Sequence, residues 1–430
     1  MINLDNPLNV PSSGVLIEPA ALNSTVAEVV EATPVIDMHT HLFAPRFGSL
    51  NLWGIDELLT YHYLIAELFR SSDLQPAQFW ELDQKARADL IWQSLFVLNT
   101  PLSEATRGVV AVLAAFGLDP CAKDLTEARE FFARQSPAEH FDLVLNLANV
   151  SDVVMTNDPL DKAEMRLWTE GGITDRRFHS ALRMDAILNE WDEKYSLVEE
   201  RGFAVAKDLS GRTITELRRF LDDVIELLRP LYLAVSLPDT FSYPDGSKRT
   251  QLIDQLVLPA CHERRLPFAL MIGVRRQVNA ALRLAGDGVG RAGMEAVNRL
   301  CDENPDNRFF VTVLSRENQH ELCVTARKFG NLMPFGCWWF LNNPSIISEI
   351  TRERIELLGA SFIPQHSDAR VFEQLIYKWT HSRRIIASAL AEAYEQLHAD
   401  GRAVTRAEVE RDVRRMFSGN FAAWTNLQRG

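Results

Sequence analysis

Two histidines one residue apart close an apolar run near the N-terminus, in Asp37-Met38-His39-Thr40-His41. Residues two apart on a strand point to the same side, so His39 and His41 would present two imidazoles to one divalent metal. The pair follows an apolar strand and precedes a Leu-Phe-Ala-Pro loop, the position where a barrel enzyme carries its chemistry. A matching carboxylate lies toward the other end of the chain, in Phe362-Ile363-Pro364-Gln365-His366-Ser367-Asp368-Ala369-Arg370. Leaving a final strand, Asp368 would ligate a metal and also accept or deliver a proton. It would equally serve as the N-cap of a helix starting near Val371, and the two roles are compatible.

Short apolar runs rich in β-branched and aromatic residues recur along the chain and predict the strands that position these groups. They are Val35–His39, Asp152–Thr156, His179–Arg183, Tyr232–Leu237, Pro267–Gly273, Arg308–Leu314, Met333–Trp338 and Ser361–Ser367. Continuous apolar runs suit strands buried on both faces, and the helical stretches between them imply parallel βαβ units. Eight such units predict an α/β fold, a (β/α)8 TIM-type barrel. A long stretch separates the first run from the second, which predicts a large helical insertion after strand one at about 45–150, within a barrel running from 35 to 430. Its helices are read at Ile55–Phe69, Pro76–Leu95, Ser103–Phe116 and Thr126–Arg134. After the eighth run, Val371–Tyr394 reads as a long helix. Thr405-Arg406-Ala407-Glu408 then has the form of a capping box before a last helix.

Composition narrows the class of partner. The chain has 430 residues, with 45 Lys and Arg against 58 Asp and Glu, a net charge of −13. At 47% hydrophobic and 24% charged residues it falls among soluble globular chains rather than disordered or collagen-like ones. No basic stripe with interleaved aromatics is present, which argues against nucleic acid. The five cysteines, Cys121, Cys261, Cys301, Cys323 and Cys337, form no C-x-x-C pair and read as buried thiols of a reducing compartment. Met1–Pro7 lacks the pattern of a secretory signal, and the longest apolar run, Val109 to Leu118, covers about half a membrane span. The expectation is a complete cytoplasmic protein without membrane contact, assembled as a homo-oligomer.

The motifs together resemble the uronate (glucuronate) isomerase family, a divergent branch of the amidohydrolase superfamily, whose first strand carries the same His-x-His. The resemblance runs in pieces over nearly the whole chain. His62-Tyr63 followed by Arg70 resembles the family's His-Tyr segment. Thr156-Asn157-Asp158-Pro159 resembles its T-x-D-P stretch, and Arg183-Met184-Asp185 its Arg-Pro-Asp. Tyr232-Leu233-Ala234-Val235-Ser236 resembles strand four. Gly336-Cys337-Trp338-Trp339-Phe340 resembles Gly-x-x-Trp-Trp-Phe, and Ser367-Asp368-Ala369-Arg370-Val371-Phe372 resembles Thr-Asp-Ser-Arg-Ser-Phe.

The resemblance implies interconversion of an aldose uronate and its ketose by moving a proton between C2 and C1 through an enediol. By motif, His39, His41 and Asp368 would hold one divalent metal, with Zn2+ expected. Tyr63 and His62 would reach in from the cap to handle protons, with Asp368 and Arg370 beside them in the catalytic set. Arg183 and Arg370 would clamp carboxylate or hydroxyl oxygens of a small sugar acid. One of Trp338 and Trp339 would wall the sugar and the other would be core. Each has a plainer reading, His62 and Tyr63 as cap packing and Arg183 as a surface ion pair.

Two departures bear on the metal. Where the family runs His-Ile-Gly on strand five, this chain has Met271-Ile272-Gly273, and a thioether is a poor substitute for imidazole on zinc. The position two before the strand-eight Asp is usually apolar in the family but is His366 here. If strand geometry persists to Asp368, His366 would face the same way and supply a replacement ligand; otherwise it would hydrogen-bond Asp368 or the substrate. The alternatives to the isomerase are a mononuclear hydrolase, another acid-sugar isomerase on this barrel, or a sugar-acid binding protein without catalysis. A binuclear hydrolase is disfavoured, because strand four lacks Lys and strand six ends without His.

Overall fold

The computed structural model describes residues 14–425 and 427, so the N-terminal Met1–Pro7 lies outside it. Seven strands pair in chain order, each parallel to the one before: β1 (Val35–Thr40), β2 (Val150–Asn157), β3 (Phe178–Arg183), β4 (Leu233–Pro238), β5 (Phe268–Arg275), β6 (Phe309–Val313) and β7 (Leu332–Pro334). A two-residue strand, Gly288–Val289, adds antiparallel to β5. The expected strand at Met333–Trp338 therefore ends at Pro334, and Tyr232 precedes β4 rather than opening it.

The eighth run is not a regular strand. Within it only Ile363 bridges to Phe335. It closes the ring nonetheless: Ile363 N donates to Pro334 O at 3.1 Å and Gly336 N to Ile363 O at 2.9 Å, while Asp368 N reaches His39 O at 3.2 Å and His41 N reaches Ala369 O at 2.7 Å. Pro334 and Pro364 have no N–H to give to a ladder, and Asp368 turns into the left-handed region at φ 52°. Those features account for the broken pairing.

Alternation along the strands builds two cores. Ile36, Met38, Val154, Ala181, Ala234, Ala269, Met271 and Phe310 fill the barrel interior. Val35, Val153, Phe178, Leu182, Leu233, Val235, Phe268, Leu270 and Phe309 belong to the cluster formed with the surrounding helices. Burial on both faces is why the runs read as continuously apolar.

Between β1 and β2 the insertion is helical, with Ile55–Leu59, His62–Ser71, Pro76–Glu81, Gln84–Trp92, Glu104–Ala115, Thr126–Ala133 and Pro137–Ala148. It is tied to the barrel by a fully buried pair, His140 Nε2 and Glu373 Oε1 at 2.6 Å, and the same carboxylate oxygen accepts Gly54 N at 3.0 Å. The long helix starts at Gln374 rather than Val371 and runs to Ala399. Asp368 does not cap it; the side chain of Gln374 instead accepts the Arg370 and Val371 N–H groups at 2.8 and 3.1 Å. The capping box at Thr405 forms as read, with Thr405 Oγ1 accepting Glu408 N and Glu408 Oε2 accepting Thr405 N. Four cysteines are buried, whereas Cys121, in a turn of the insertion, is exposed. Among the described residues no helix is long and apolar enough to cross a membrane.

Candidate active site

β1 reaches the barrel mouth through a bulge. Asp37 pairs with Val153 and Thr40 with Met155, so three steps on β1 oppose two on β2. A bulge re-aims the side chains that follow it, and here both histidines end on the cavity wall together with Asp368. Asp37 faces the other way, where it accepts Ser367 N at 3.0 Å and Trp379 Nε1 at 2.8 Å. Burial pushes this carboxyl up to about 6. Asp37 thereby ties β1 to the segment that carries Asp368.

His39 Nε2 lies 3.9 Å and His41 Nε2 3.3 Å from Asp368 Oδ1, with the imidazole planes at 87° to each other. One ligand atom from each of the three residues falls within 4.8 Å of the others. Burial lowers His39 to about 3 against the opposing pull of Asp368. It also holds His41 well below its ordinary value, helped by the positive charge of Arg370 and Arg183. Both rings are neutral at physiological pH and keep a lone pair. Asp368 Oδ1 is buried and has no hydrogen-bond partner among the described residues. A buried acceptor without a donor, facing two neutral imidazoles, fits a divalent cation, and N2O donor sets suit catalytic metals that keep open positions.

The cavity gathers most of the residues singled out from the sequence: His39, His41, Asp368, His62, Arg183, Arg370, Trp338 and Trp339. Both tryptophans line it, so neither is purely core. Trp339 has a positive φ of 46° and its ring meets His62 edge-on at 5.4 Å. Burial lowers His62 to about 3, with Arg370 adding to the effect. Arg183 is oriented by Asp185, which accepts its Nε at 3.3 Å and also takes Ser236 N at 3.2 Å. Arg183 thus has the ion-pair partner of the plainer reading and also lies on the cavity.

Two residues take positions the sequence did not suggest. From the cap, Tyr61 and His62 form the wall, and Tyr63 packs against both, with centroid distances of 5.0 and 4.5 Å. Burial, reinforced by Tyr61 and Asp368, raises the Tyr63 hydroxyl well above its usual value, so it is a protonated donor. His366 does not join the group around Asp368. Strand geometry ends before Asp368, and the fully buried imidazole sits against Phe335 and His39 at 5.2 and 5.5 Å. Neither of its nitrogens has a hydrogen-bond partner among the described residues, Asp368 included. Gly336 makes room for it, since a Cβ there would stand 1.7 Å from His366 Nδ1.

Met271, Ser236, Val274, Arg276 and Leu284 complete the wall. Met271 occupies the strand-five position at 1% exposure. Tyr232 and Thr156 lie within motifs quoted above, and each holds one of the two histidines from behind, a role with no local signal in the sequence.

No protein-family model and no curated protein matches the sequence. Solved structures do. A glucuronate isomerase from Caulobacter crescentus aligns over 99% of this chain and 97% of its own at 16% identity and a TM-score of 0.77. A uronate isomerase from Thermotoga maritima aligns over 95% and 98% at 16% identity and a TM-score of 0.75. At those identities the likeness concerns the fold. A uronate isomerase from Bacillus halodurans is 51% identical over 96% of this chain and 98% of its own, with a TM-score of 0.94. With that identity over nearly the full length of both chains, this protein belongs to the uronate isomerase family.

Proposed function

We propose that the protein interconverts an aldose hexuronate, such as glucuronate or galacturonate, with the corresponding ketose. The observation that carries this reading is the meeting, in one cavity of a uronate isomerase family member, of a His-His-Asp group, two arginines and tandem tryptophans. The reaction removes a proton from C2 and delivers one to C1, while the O2 hydroxyl proton passes to O1, so that the carbonyl moves from C1 to C2. No electrons leave the substrate and no water is consumed.

His39, His41 and Asp368 would hold one divalent metal, for which Zn2+ suits the N2O donor set. Bound there, such an ion supplies Lewis-acid stabilisation of negative charge on a substrate oxygen. Arg183 and Arg370 grip the sugar carboxylate and hydroxyl oxygens, using the planar fork that matches a carboxylate. Trp338 and Trp339 shield the open-chain sugar from water. At the C2–C1 edge His62, on the cavity wall with two nitrogens that have no hydrogen-bond partner among the described residues, would move protons, and Tyr63, packed against Tyr61 and His62, would act as a proton donor.

The test is turnover of glucuronate and galacturonate by protein expressed in zinc-supplemented medium, with metal content measured on the same samples. Ketose formation with roughly one metal per chain is expected. Absence of turnover on both uronates overturns the reaction, and absence of metal with affinity unchanged in His39→Ala overturns the centre.

A further inference from the structure

Each histidine of the β1 pair is backed by a hydroxyl, and the two arrangements repeat one another. His39 Nδ1 lies 3.0 Å from the Tyr232 hydroxyl, which donates to the Met38 carbonyl at 2.6 Å. Two residues on, His41 Nδ1 lies 2.9 Å from Thr156 Oγ1, which donates to the Thr40 carbonyl at 2.9 Å. In both cases the carbonyl belongs to the residue just before the histidine. The hydroxyls come from different places, one from the residue preceding β4 and the other from β2.

A hydroxyl has one proton to give. With that proton on a backbone carbonyl, its oxygen can only accept from the imidazole, so the ring hydrogen must sit on Nδ1 and the lone pair on Nε2. Histidine free in water favours the opposite tautomer, so the protein imposes this one. Tyr232 and Thr156 are 0% and 4% exposed, which leaves no bulk water to replace a missing hydroxyl. The ring of Tyr232 also stacks beside His39, with centroids 6.5 Å apart.

We infer that Tyr232 and Thr156 are positioning residues that fix His39 and His41 as Nδ1–H tautomers and aim both Nε2 lone pairs at the space beside Asp368 Oδ1. The functional meaning of this rests on the metal reading of that group. It matters more here than on a barrel with a fourth ligand. With Met271 on β5, two of the three available donor atoms are these nitrogens, and one wrong tautomer removes a third of the set. Groups behind metal-bound histidines are commonly carboxylates or carbonyls; a hydroxyl relayed to a carbonyl accomplishes the same orientation without adding charge.

The experiment is nitrogen NMR of metal-free protein labelled in histidine, with the two signals assigned through His39→Asn and His41→Asn. The wild type is expected to show a protonated Nδ1 and a bare Nε2 at both. Tyr232→Phe should convert His39 alone to a mixed or reversed tautomer, and Thr156→Val should do so for His41 alone, with Thr156→Ser keeping the wild-type pattern. Chelator competition for Zn2+ should show each tautomer-shifted variant bound ~10–100-fold more weakly, the usual loss for an orienting partner. The signals of His140 and His179, which belong to other pairs, report that the fold is intact. If Tyr232→Phe does not fold, the Thr156 variants decide. Unchanged tautomers in the folded variants, or an Nε2–H form in the wild type, overturn the inference. Tautomers that shift as expected in a protein that binds no Zn2+ support it and remove the metal reading instead.

Discussion

The ammonium of Lys378 stands 5.1 Å from the ring centroid of Tyr63. It comes from the long helix that follows the ring-closing segment, is 3% exposed, and pairs with Glu104 Oε1 of the cap at 3.6 Å. A desolvated cation on an aromatic face is attracted by the ring quadrupole, and the attraction grows as the hydroxyl gives up its proton. Tyr63→Phe is therefore expected to lower kcat by ~10²–10⁴, the range for a proton-handling group. Lys378→Met should lower kcat through Tyr63 by an amount matching ~0.5–2 kcal/mol, with KM little changed and Lys378→Arg restoring most of it. Tyr61→Phe is the control, because Tyr61 shares the cavity wall. A larger loss there than in Tyr63→Phe transfers the proton role to Tyr61.

Asp368 meets His41 at 3.3 Å from a backbone with φ 52°. Asn tolerates that conformation nearly as well as Asp, so Asp368→Asn isolates the charge. It is expected to lose metal about as severely as His39→Ala while keeping its melting temperature. Retained metal content in Asp368→Asn would remove this carboxylate from the centre.

Arg183 lies on the cavity with its guanidinium set by Asp185. Interactions made equally in ground and transition states appear in KM. Arg183→Met should therefore chiefly raise KM, and Asp185→Asn should raise it less. Steady-state kinetics check both, and a pure kcat effect would place Arg183 at the reacting carbons instead of the carboxylate.

Some of this site is visible in the chain and some is not, for physical reasons. The first six strands read as apolar runs because each is buried on both faces. His39 and His41 stand out because spacing of two on a strand is a local property. The last stave is harder, since prolines and the left-handed turn at Asp368 break the regularity on which pattern reading depends, and that turn is also why His366 fails to follow Asp368 onto the wall. Tyr232 and Thr156 carry no local signal. Their importance comes from 2.9–3.0 Å contacts to histidines on another strand, and a tyrosine or threonine at a strand end is otherwise ordinary. Lys378 is hidden similarly, because a lysine on a helix reads as solvated until the cap is seen to cover it.

Glu164 gives a pH dependence with a definite sign. It is 4% exposed, and burial raises its carboxyl to about 7 against the hydrogen bonds from Asn157 Nδ2 and Asp158 N. Its folded value exceeds the reference of 4.5, so the folded state binds more protons over that interval. The associated stability is fully present below 4.5 and is lost as pH rises through about 7. Wild type should lose stability relative to Glu164→Gln between about pH 5 and about pH 8, by at most roughly 3 kcal/mol. Urea unfolding at the two pH values tests this, and a difference of the opposite sign would show that a neighbouring cation holds the carboxylate charged.

The β5 substitution yields the sharpest structural test. Met271 lies on the cavity wall with His39 and His41, and it is in register with Ser236 on β4 and Thr312 on β6. Register partners on neighbouring strands share a face, so Thr312 also points inward, and its buried hydroxyl has no hydrogen-bond partner among the described residues. Met271→His would bring an imidazole to the wall with a hydroxyl beside it, the same pairing that Thr156 makes with His41. The variant is expected to bind Zn2+ more than ~10-fold tighter than wild type in chelator competition, since a ligand should count for at least as much as an orienting group. The further change Thr312→Val should remove part of that gain. Affinity unchanged in Met271→His would mean that the side chain at 271 does not reach the space beside Asp368, and that the metal would be held by three protein atoms whatever occupies β5.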